Sequence, residues 1–295
     1  MVFCLNVENI LEIIKYMIIS GKELSNELRS EMIKEVKEIK ERCGRAPHLA
    51  VIIVGDNPAS QSYVKGKSKA CEEVGISNTT IEMPSDITQR DLLNKIGELN
   101  RNINIDGILV QLPLPKHIDE EVIMKYIDPM KDVDGFHPVN VDGLYTGKDC
   151  IKPCTPTGIL KLLNKANVEI EGKNVVVLGR SNIVGLPVSK MLLDENATVT
   201  ICHSKTKNLK EITSQADILI VAIGKPKFIT SDMVKEGAVV IDVGVNRIDN
   251  KLVGDVDFDN VENKASVITP VPGGVGPMTI TCLLENTIKC FKKFY

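Results

Sequence analysis

Tyr63 and Lys67 stand four residues apart in a stretch of helical pattern. That spacing puts both side chains on one face of a helix, one turn apart. A lysine beside a phenol and an aromatic ligand can donate or accept a proton once its charge is destabilised; on a solvated helix face the same pair has no chemistry. Further along, Val175–Leu178 runs into Gly179-Arg180-Ser181-Asn182-Ile183-Val184-Gly185. A strand, a tight turn and a helix start in that order present unpaired backbone N–H groups to a phosphate. Ser181 occupies the place of the second glycine of G-x-G-x-x-G, so the turn alone is also compatible with an ordinary α/β connection.

The next strand narrows the reading. A dinucleotide unit that takes NAD carries Asp or Glu about 20 residues on, to bond the ribose 2′-hydroxyl. Here Thr198–Cys202 ends in His203-Ser204-Lys205-Thr206, which offers hydroxyls and a cation and no carboxylate. A 2′-phosphate suits such a set, with Arg180 as a second cation, so NADP is favoured over NAD. Gly66-Lys67 is not a phosphate loop, because Gln61 stands where that motif needs glycine. No metal is expected. His48, His117, His137 and His203 have no ligand spacing, and aligning Gly135 as the glycine of a calcium loop puts Met130 and Val141 at its end ligands.

Elements that position these residues follow from hydrophobic period and punctuation. Residues 22–42 read as a charged helix, Leu49–Val54 as a buried strand, and Asn57-Pro58 as cap and first residue of a helix to about Val74. Thr79–Met83 and Ile105–Leu112 read as strands, the latter stopped by Pro113, with helices over 88–101 and 119–127. Asp128–Gly147 reads as turns. A second unit starts at Pro156 with a helix to about Asn167. Strands Asn174–Leu178, Thr198–Cys202, Ile218–Ile223 and Val239–Val243 then alternate with helices, and residues 277–295 form a last helix opened by Thr279. The fold class is α/β with two domains, an N-terminal α/β domain and a Rossmann-like doubly wound dinucleotide-binding domain.

The bulk properties agree. The chain has 295 residues, 43% hydrophobic and 25% charged, with net charge −3 and no Trp. The charge and the sparse aromatics speak against nucleic acid as partner. Eight scattered cysteines without C-x-x-C read as reduced thiols of a cytoplasmic protein. Glu8 and Glu12 interrupt the apolar N-terminus, which reads as a helix or extension rather than a signal peptide, and no run approaches the ~20 residues of a membrane helix.

Seven stretches, in order, carry a more specific likeness: Val110-Gln111-Leu112-Pro113-Leu114-Pro115; Lys131-Asp132-Val133-Asp134-Gly135-Phe136; Pro153-Cys154-Thr155-Pro156-Thr157-Gly158; the Gly179–Gly185 turn; His203–Thr206; Asp242-Val243-Gly244-Val245-Asn246; and Pro270-Val271-Pro272-Gly273-Gly274-Val275-Gly276-Pro277-Met278-Thr279. From about Ile18 to the C-terminus the chain resembles the bifunctional methylenetetrahydrofolate dehydrogenase/cyclohydrolase family. Short-chain dehydrogenases also carry Y-x-x-x-K, but after their dinucleotide turn, whereas here it precedes Gly179.

The resemblance implies oxidation of 5,10-methylenetetrahydrofolate with NADP and hydrolysis of the methenyl product to 10-formyltetrahydrofolate. It implies Lys67 as the catalytic lysine, Tyr63 stacked on the folate, and Gln111 holding Lys67, with Val110 and Leu112 beside it. Asp134 would accept two hydrogen bonds from the pterin, and Pro272, Gly273, Gly274, Val275 and Gly276 would border the substrate. Gly179, Arg180, Ser181 and Ser204 would hold cofactor phosphates and ribose, with Val245 at the nicotinamide end. Residues 1–155 with 277–295 would form the folate-binding catalytic domain and 156–276 the NADP-binding domain, with a cleft between them, in a homodimer. The rival readings are an NADP-dependent dehydrogenase of another small acid and a non-catalytic regulator; the latter has no need of Lys67.

Overall fold

The computed structural model describes residues 17–249 and 251–294. The helix or extension expected at the N-terminus lies, up to residue 16, outside the described residues. The strands are β1 (Met17–Ile18), β2 (His48–Val54), β3 (Ser77–Met83), β4 (Gly107–Val110), β5 (Asn174–Leu178), β6 (Thr198–Cys202), β7 (Ile218–Val221), β8 (Val239–Asp242), β9 (Asn246–Ile248), β10 (Lys251–Val253) and β11 (Val267–Ile268). The chain divides into two compact units. One is Lys22–Gly158 with the segment from Pro277 onward; the other is Ile159–Gly276 with the described residues up to Gly21.

The first unit is built on a parallel sheet of order β3-β2-β4. Its central strand pairs with β3 from His48↔Ser77 to Val54↔Met83 and with β4 from Leu49↔Gly107 to Ile52↔Val110. All of β2 beyond His48 is buried, because helices cover both faces of the sheet. Side chains alternate between those faces. Leu49, Val51 and Ile53 enter a core with Met32, Val36 and Ile39 of the Gly21–Cys43 helix and Leu283, Ile288 and Phe291 of the Val275–Lys292 helix. Ala50, Ile52 and Val54 pack instead on Leu92, Ile96 and Leu99 of the Gln89–Arg101 helix.

Two sequence expectations differ from the structure here. Asp128–Gly147, read as turns, contains a helix over Pro138–Thr146. His137 caps it by accepting from Val139 N through Nδ1, Pro138 takes the first turn, and Gly147 ends it in the left-handed region at φ 74°. The last helix starts at Val275, four residues before Thr279, whose hydroxyl pairs with Thr155 Oγ1 at 2.9 Å.

The second unit holds a six-stranded sheet of order β1-β11-β8-β7-β5-β6, parallel throughout. Val176, Leu178, Leu219, Val221, Val240 and Ile268 share its core. The sequence reading left the N-terminus with the first unit, but Met17 and Ile18 pair with Val267 and Ile268 at the edge of this sheet. Two-residue strands give no period to read, so neither β1 nor β11 is visible in the sequence pattern. Among the described residues no helix is long and apolar enough to cross a membrane.

Candidate functional site

Each sheet reverses its winding once. The chain leaves β2 for β3 on one side and returns to β4 on the other; it leaves β5 for β6 on one side and returns to β7 on the other. Open α/β sheets bind ligands outside the carboxyl ends of their strands at such points, and the residues singled out in the sequence fall at both.

At the first point, Asn57 follows β2 and caps the Pro58–Val74 helix, its Oδ1 accepting from Ser60 N at 3.2 Å. The helix carries Tyr63, 43% exposed, and one turn on Lys67, only 9% exposed. Across the sheet, Gln111 continues the pairing beyond β4 by donating from its backbone N to Ile52 O at 2.8 Å. Its side-chain Nε2 donates to Leu112 O at 2.7 Å, which turns Oε1 toward Lys67 Nζ at 3.0 Å. An amide oxygen accepts from an amine whether the amine is charged or neutral. Lys67 can therefore release and regain a proton without losing its partner. Val110 is buried and Leu112 half-buried, both packed with Ala50, Ile52 and Val54.

The segment from Lys131 to Asp134 assigns one task to each residue. Buried Lys131 donates from Nζ to Leu99 O, Asn100 O and Asn102 O at 3.1, 2.8 and 2.8 Å, closing the C-terminal end of the Gln89–Arg101 helix. Desolvation draws its pKa below the usual lysine value. Asp132 is buried and ties the following turn, accepting from Gly135 N, His137 N and Asn140 Nδ2 at 3.1, 2.8 and 2.9 Å. Val133 fills the core. That leaves Asp134, half-buried. Desolvation raises its carboxyl to about 6, with the Lys67 ammonium pulling it down and Asp132 adding to the rise. Buried Cys154 lies in the same electrostatic neighbourhood; its Sγ donates to Val133 O at 3.3 Å, and desolvation and Asp134 push its thiol well up. The sequence reading gave Cys154 no role, and the structure buries it in the core with Val133 and Ile151.

Tyr63, Lys67, Val110, Gln111, Leu112 and Asp134 thus fall in one unit. Pro272, Gly273, Gly274, Val275 and Gly276 fall in the other, as a turn and the first residues of the last helix.

At the second point, Gly179 leaves β5 with φ 126°, and a Cβ there would lie 2.3 Å from Ala222 O beyond β7. No side chain can occupy that position, so the backbone turns tightly enough to open the Gly185–Asp194 helix. Ser181 Oγ accepts from Val184 N at 3.2 Å and Gly185 N at 3.4 Å. In the loop after β6, His203 and Thr206 build the turn: His203 N donates to Thr206 Oγ1 at 2.8 Å, and Lys205 N donates to His203 Nδ1 at 3.1 Å. Ser204 and Lys205 are left exposed. A cavity of about 270 Å³ is lined by Gly179, Arg180, His203, Ser204, Lys225 and Phe228, among others. Sequence reasoning missed the last two; Lys225 Nζ stands 5.4 Å over the Phe228 ring. Their signal is position, in the loop that follows the carboxyl end of β7. Val245, beyond β8, is 44% exposed.

Comparison with known proteins gives matches across the chain. Residues 19–134 match the catalytic domain of tetrahydrofolate dehydrogenase/cyclohydrolase, and residues 153–295 match its NAD(P)-binding domain. The chain is 59% identical to a bifunctional protein FolD of Bacillus cereus (strain G9842) over 278 residues, 94% of this chain and 97% of that protein. A solved structure of the bifunctional FolD methylenetetrahydrofolate dehydrogenase/cyclohydrolase of Campylobacter jejuni is similar at TM-score 0.93 and 51% identity, covering 95% of this chain and 100% of that one. The dehydrogenase-cyclohydrolase of Trypanosoma brucei, solved with NADP cofactor and inhibitor, is similar at TM-score 0.91 and 41% identity, covering 95% and 98%.

Proposed function

The chain belongs to the tetrahydrofolate dehydrogenase/cyclohydrolase family, and from that premise we propose that it oxidises 5,10-methylenetetrahydrofolate with NADP and hydrolyses the methenyl product to 10-formyltetrahydrofolate. The observation that carries this is the hydrogen bond from Lys67 to Gln111 at the β2/β4 reversal, with Asp134 in electrostatic reach. Asp134, as carboxylate, accepts from the pterin ring N–H and exocyclic amine; such charge-assisted pairs are strong. Tyr63 gives its exposed ring to the folate as a stacking surface.

In the hydrolytic step, water adds to the methenyl carbon and gives up a proton. The tetrahedral adduct then collapses as one carbon–nitrogen bond breaks, leaving the formyl group on the other nitrogen. Lys67 serves this step by moving the proton between water oxygen and leaving nitrogen, held by Gln111 throughout.

The Gly179–Gly185 turn fits a dinucleotide by its own geometry, because the Gly179 position excludes any side chain and the cavity beside it is lined by Arg180 and Ser204. NADP, when bound, accepts the hydride. Arg180, Ser181 and Ser204 would hold phosphate and ribose, and Val245 would border the nicotinamide. The absence of a carboxylate from His203–Thr206 supports NADP over NAD. Cys43, Cys71, Cys150, Cys154, Cys202 and Cys290 are thiols, which supports a cytoplasmic setting. Edge strand β6, with Ile201 37% exposed, supports association as a homodimer.

Steady-state rates with NADP and NAD at saturating folate test the cofactor reading. One charge-assisted contact to the 2′-phosphate is worth about 1.5–3 kcal/mol, so kcat/KM is expected to favour NADP by roughly 10–100-fold. Preference for NAD would contradict it.

A further inference from the structure

Two loops border the carboxyl end of the six-stranded sheet next to the Gly179 turn. One follows β7 and runs from Ala222 to Phe228 along the cavity wall; the other follows β8, carries Val245 and enters β9 at Asn246. Both are fastened to one side chain that no motif singled out. Asp255 is fully buried at 0% exposure. Its Oδ2 accepts from Ile223 N at 2.7 Å and Gly224 N at 2.8 Å, and its Oδ1 accepts from Asn246 Nδ2 at 2.8 Å.

Asp255 is itself held from β8. Asp242 Oδ1 accepts from Asp255 N at 3.0 Å and Gly244 N at 2.9 Å, while Asp242 Oδ2 accepts from Val256 N at 2.9 Å. The approach is close enough that a Cβ on Gly244 would lie 2.3 Å from Asp255 Oδ1. A buried carboxylate is costly unless its oxygens are met by donors. Here both oxygens of Asp255 are met, by two donors of the loop after β7 and by Asn246, where the loop after β8 enters β9.

Resting on the NADP site read above, we infer that Asp255 is a positioning residue of the dehydrogenase reaction: its carboxylate ties the β7 loop that walls the cofactor cavity to the β8 loop that carries Val245. The core of the sheet is apolar, and Leu219, Val221 and Val240 in it make none of the side-chain hydrogen bonds of this tie. Replacing the carboxylate by an amide of the same shape leaves one acceptor oxygen. It can serve Ile223 and Gly224, which leaves the amide nitrogen facing Asn246; Asn246 must then turn its own amide to present its oxygen, and the charge-assisted tie becomes a weaker neutral one.

The test uses the full chain as Asp255→Asn and, separately, as Asn246→Ala. NADP affinity is measured by titration calorimetry, and hydrolysis of 5,10-methenyltetrahydrofolate is measured without cofactor. The expected result for Asp255→Asn is an NADP Kd raised by about tenfold or more, the scale of losing a hydrogen bond to a charged group, with hydrolysis unchanged. Asn246→Ala is expected to raise the Kd less. An unchanged Kd in Asp255→Asn overturns the inference. So does a loss of hydrolysis and of thermal stability in step with the loss of NADP affinity, which would make Asp255 a general fold residue. If Asp255→Asn does not fold, Asn246→Ala decides alone, and an unchanged Kd there overturns it. Failure of the unmodified chain to bind NADP would overturn the reading underneath, and the inference with it.

Discussion

Lys67→Met is expected to slow hydrolysis of 5,10-methenyltetrahydrofolate by roughly 10²–10⁴-fold, the range over which a positioned acid–base group contributes. The fold is expected to survive. Lys67 gives one hydrogen bond, to the neutral Gln111 oxygen at 3.0 Å, and methionine keeps the length of the aliphatic stem. NADP affinity, assigned in the proposal to the Gly179 turn of the other unit, is expected to stay unchanged. Hydrolysis rates, NADP titration and a thermal melt on the purified variant check all three. Hydrolysis at the unmodified rate would contradict the role given to Lys67.

Asp134→Asn is expected to lose folate binding while making the protein more stable. On the proposed role of Asp134, an amide offers one acceptor and one donor where the carboxylate would meet two pterin donors, so kcat/KM is expected to fall by about 10²-fold. The stability change follows from burial. Desolvation raises the carboxyl from 3.8 to about 6, against the opposing pull of Lys67. A group whose folded pKa is raised resists ionisation in the native state. Its penalty is absent below about pH 4, grows as pH rises from 4 to 6, and is complete above 6. At pH 7 that amounts to about 1–3 kcal/mol, with the upper end reduced because the side chain is only half-buried. The variant should therefore melt higher than the unmodified chain at pH 7, with the difference closing toward pH 4. In the unmodified enzyme, kcat/KM for folate should fall as pH drops through about 6, because the proposal makes the carboxylate the binding form. Equal melting temperatures at pH 7 together with unchanged kcat/KM would contradict both halves.

Much of this was legible from local chemistry. Asn57-Pro58 marked a helix start that the structure places at Pro58, and the Val-Val-Val run and its neighbour bounded β5 and β6 at the observed residues. These signals depend only on adjacent residues. The Pro138–Thr146 helix was missed because it shows little apolar period and is fixed from outside, Asn140 being buried on Pro129 O, Asp132 Oδ2 and Ile151 N. Its cap signals, Pro138 and Gly147, were available and were read as turn residues. At the site, the pairing of Lys67 with Gln111 spans 44 residues and came from family resemblance, not from spacing. Asp255 had no such help. Its partners are 9, 31 and 32 residues away, and nothing beside it in the chain distinguishes it from a surface carboxylate.

The most direct measurement is one absorbance trace of the purified chain with 5,10-methylenetetrahydrofolate and NADP. The account predicts that NADPH appears and that methenyl absorbance then decays faster than in an enzyme-free control. NADPH formation without accelerated decay would contradict the role of Lys67 and leave a dehydrogenase alone. No reduction with NADP would contradict the reading of the Gly179 turn and of the enzyme built around it.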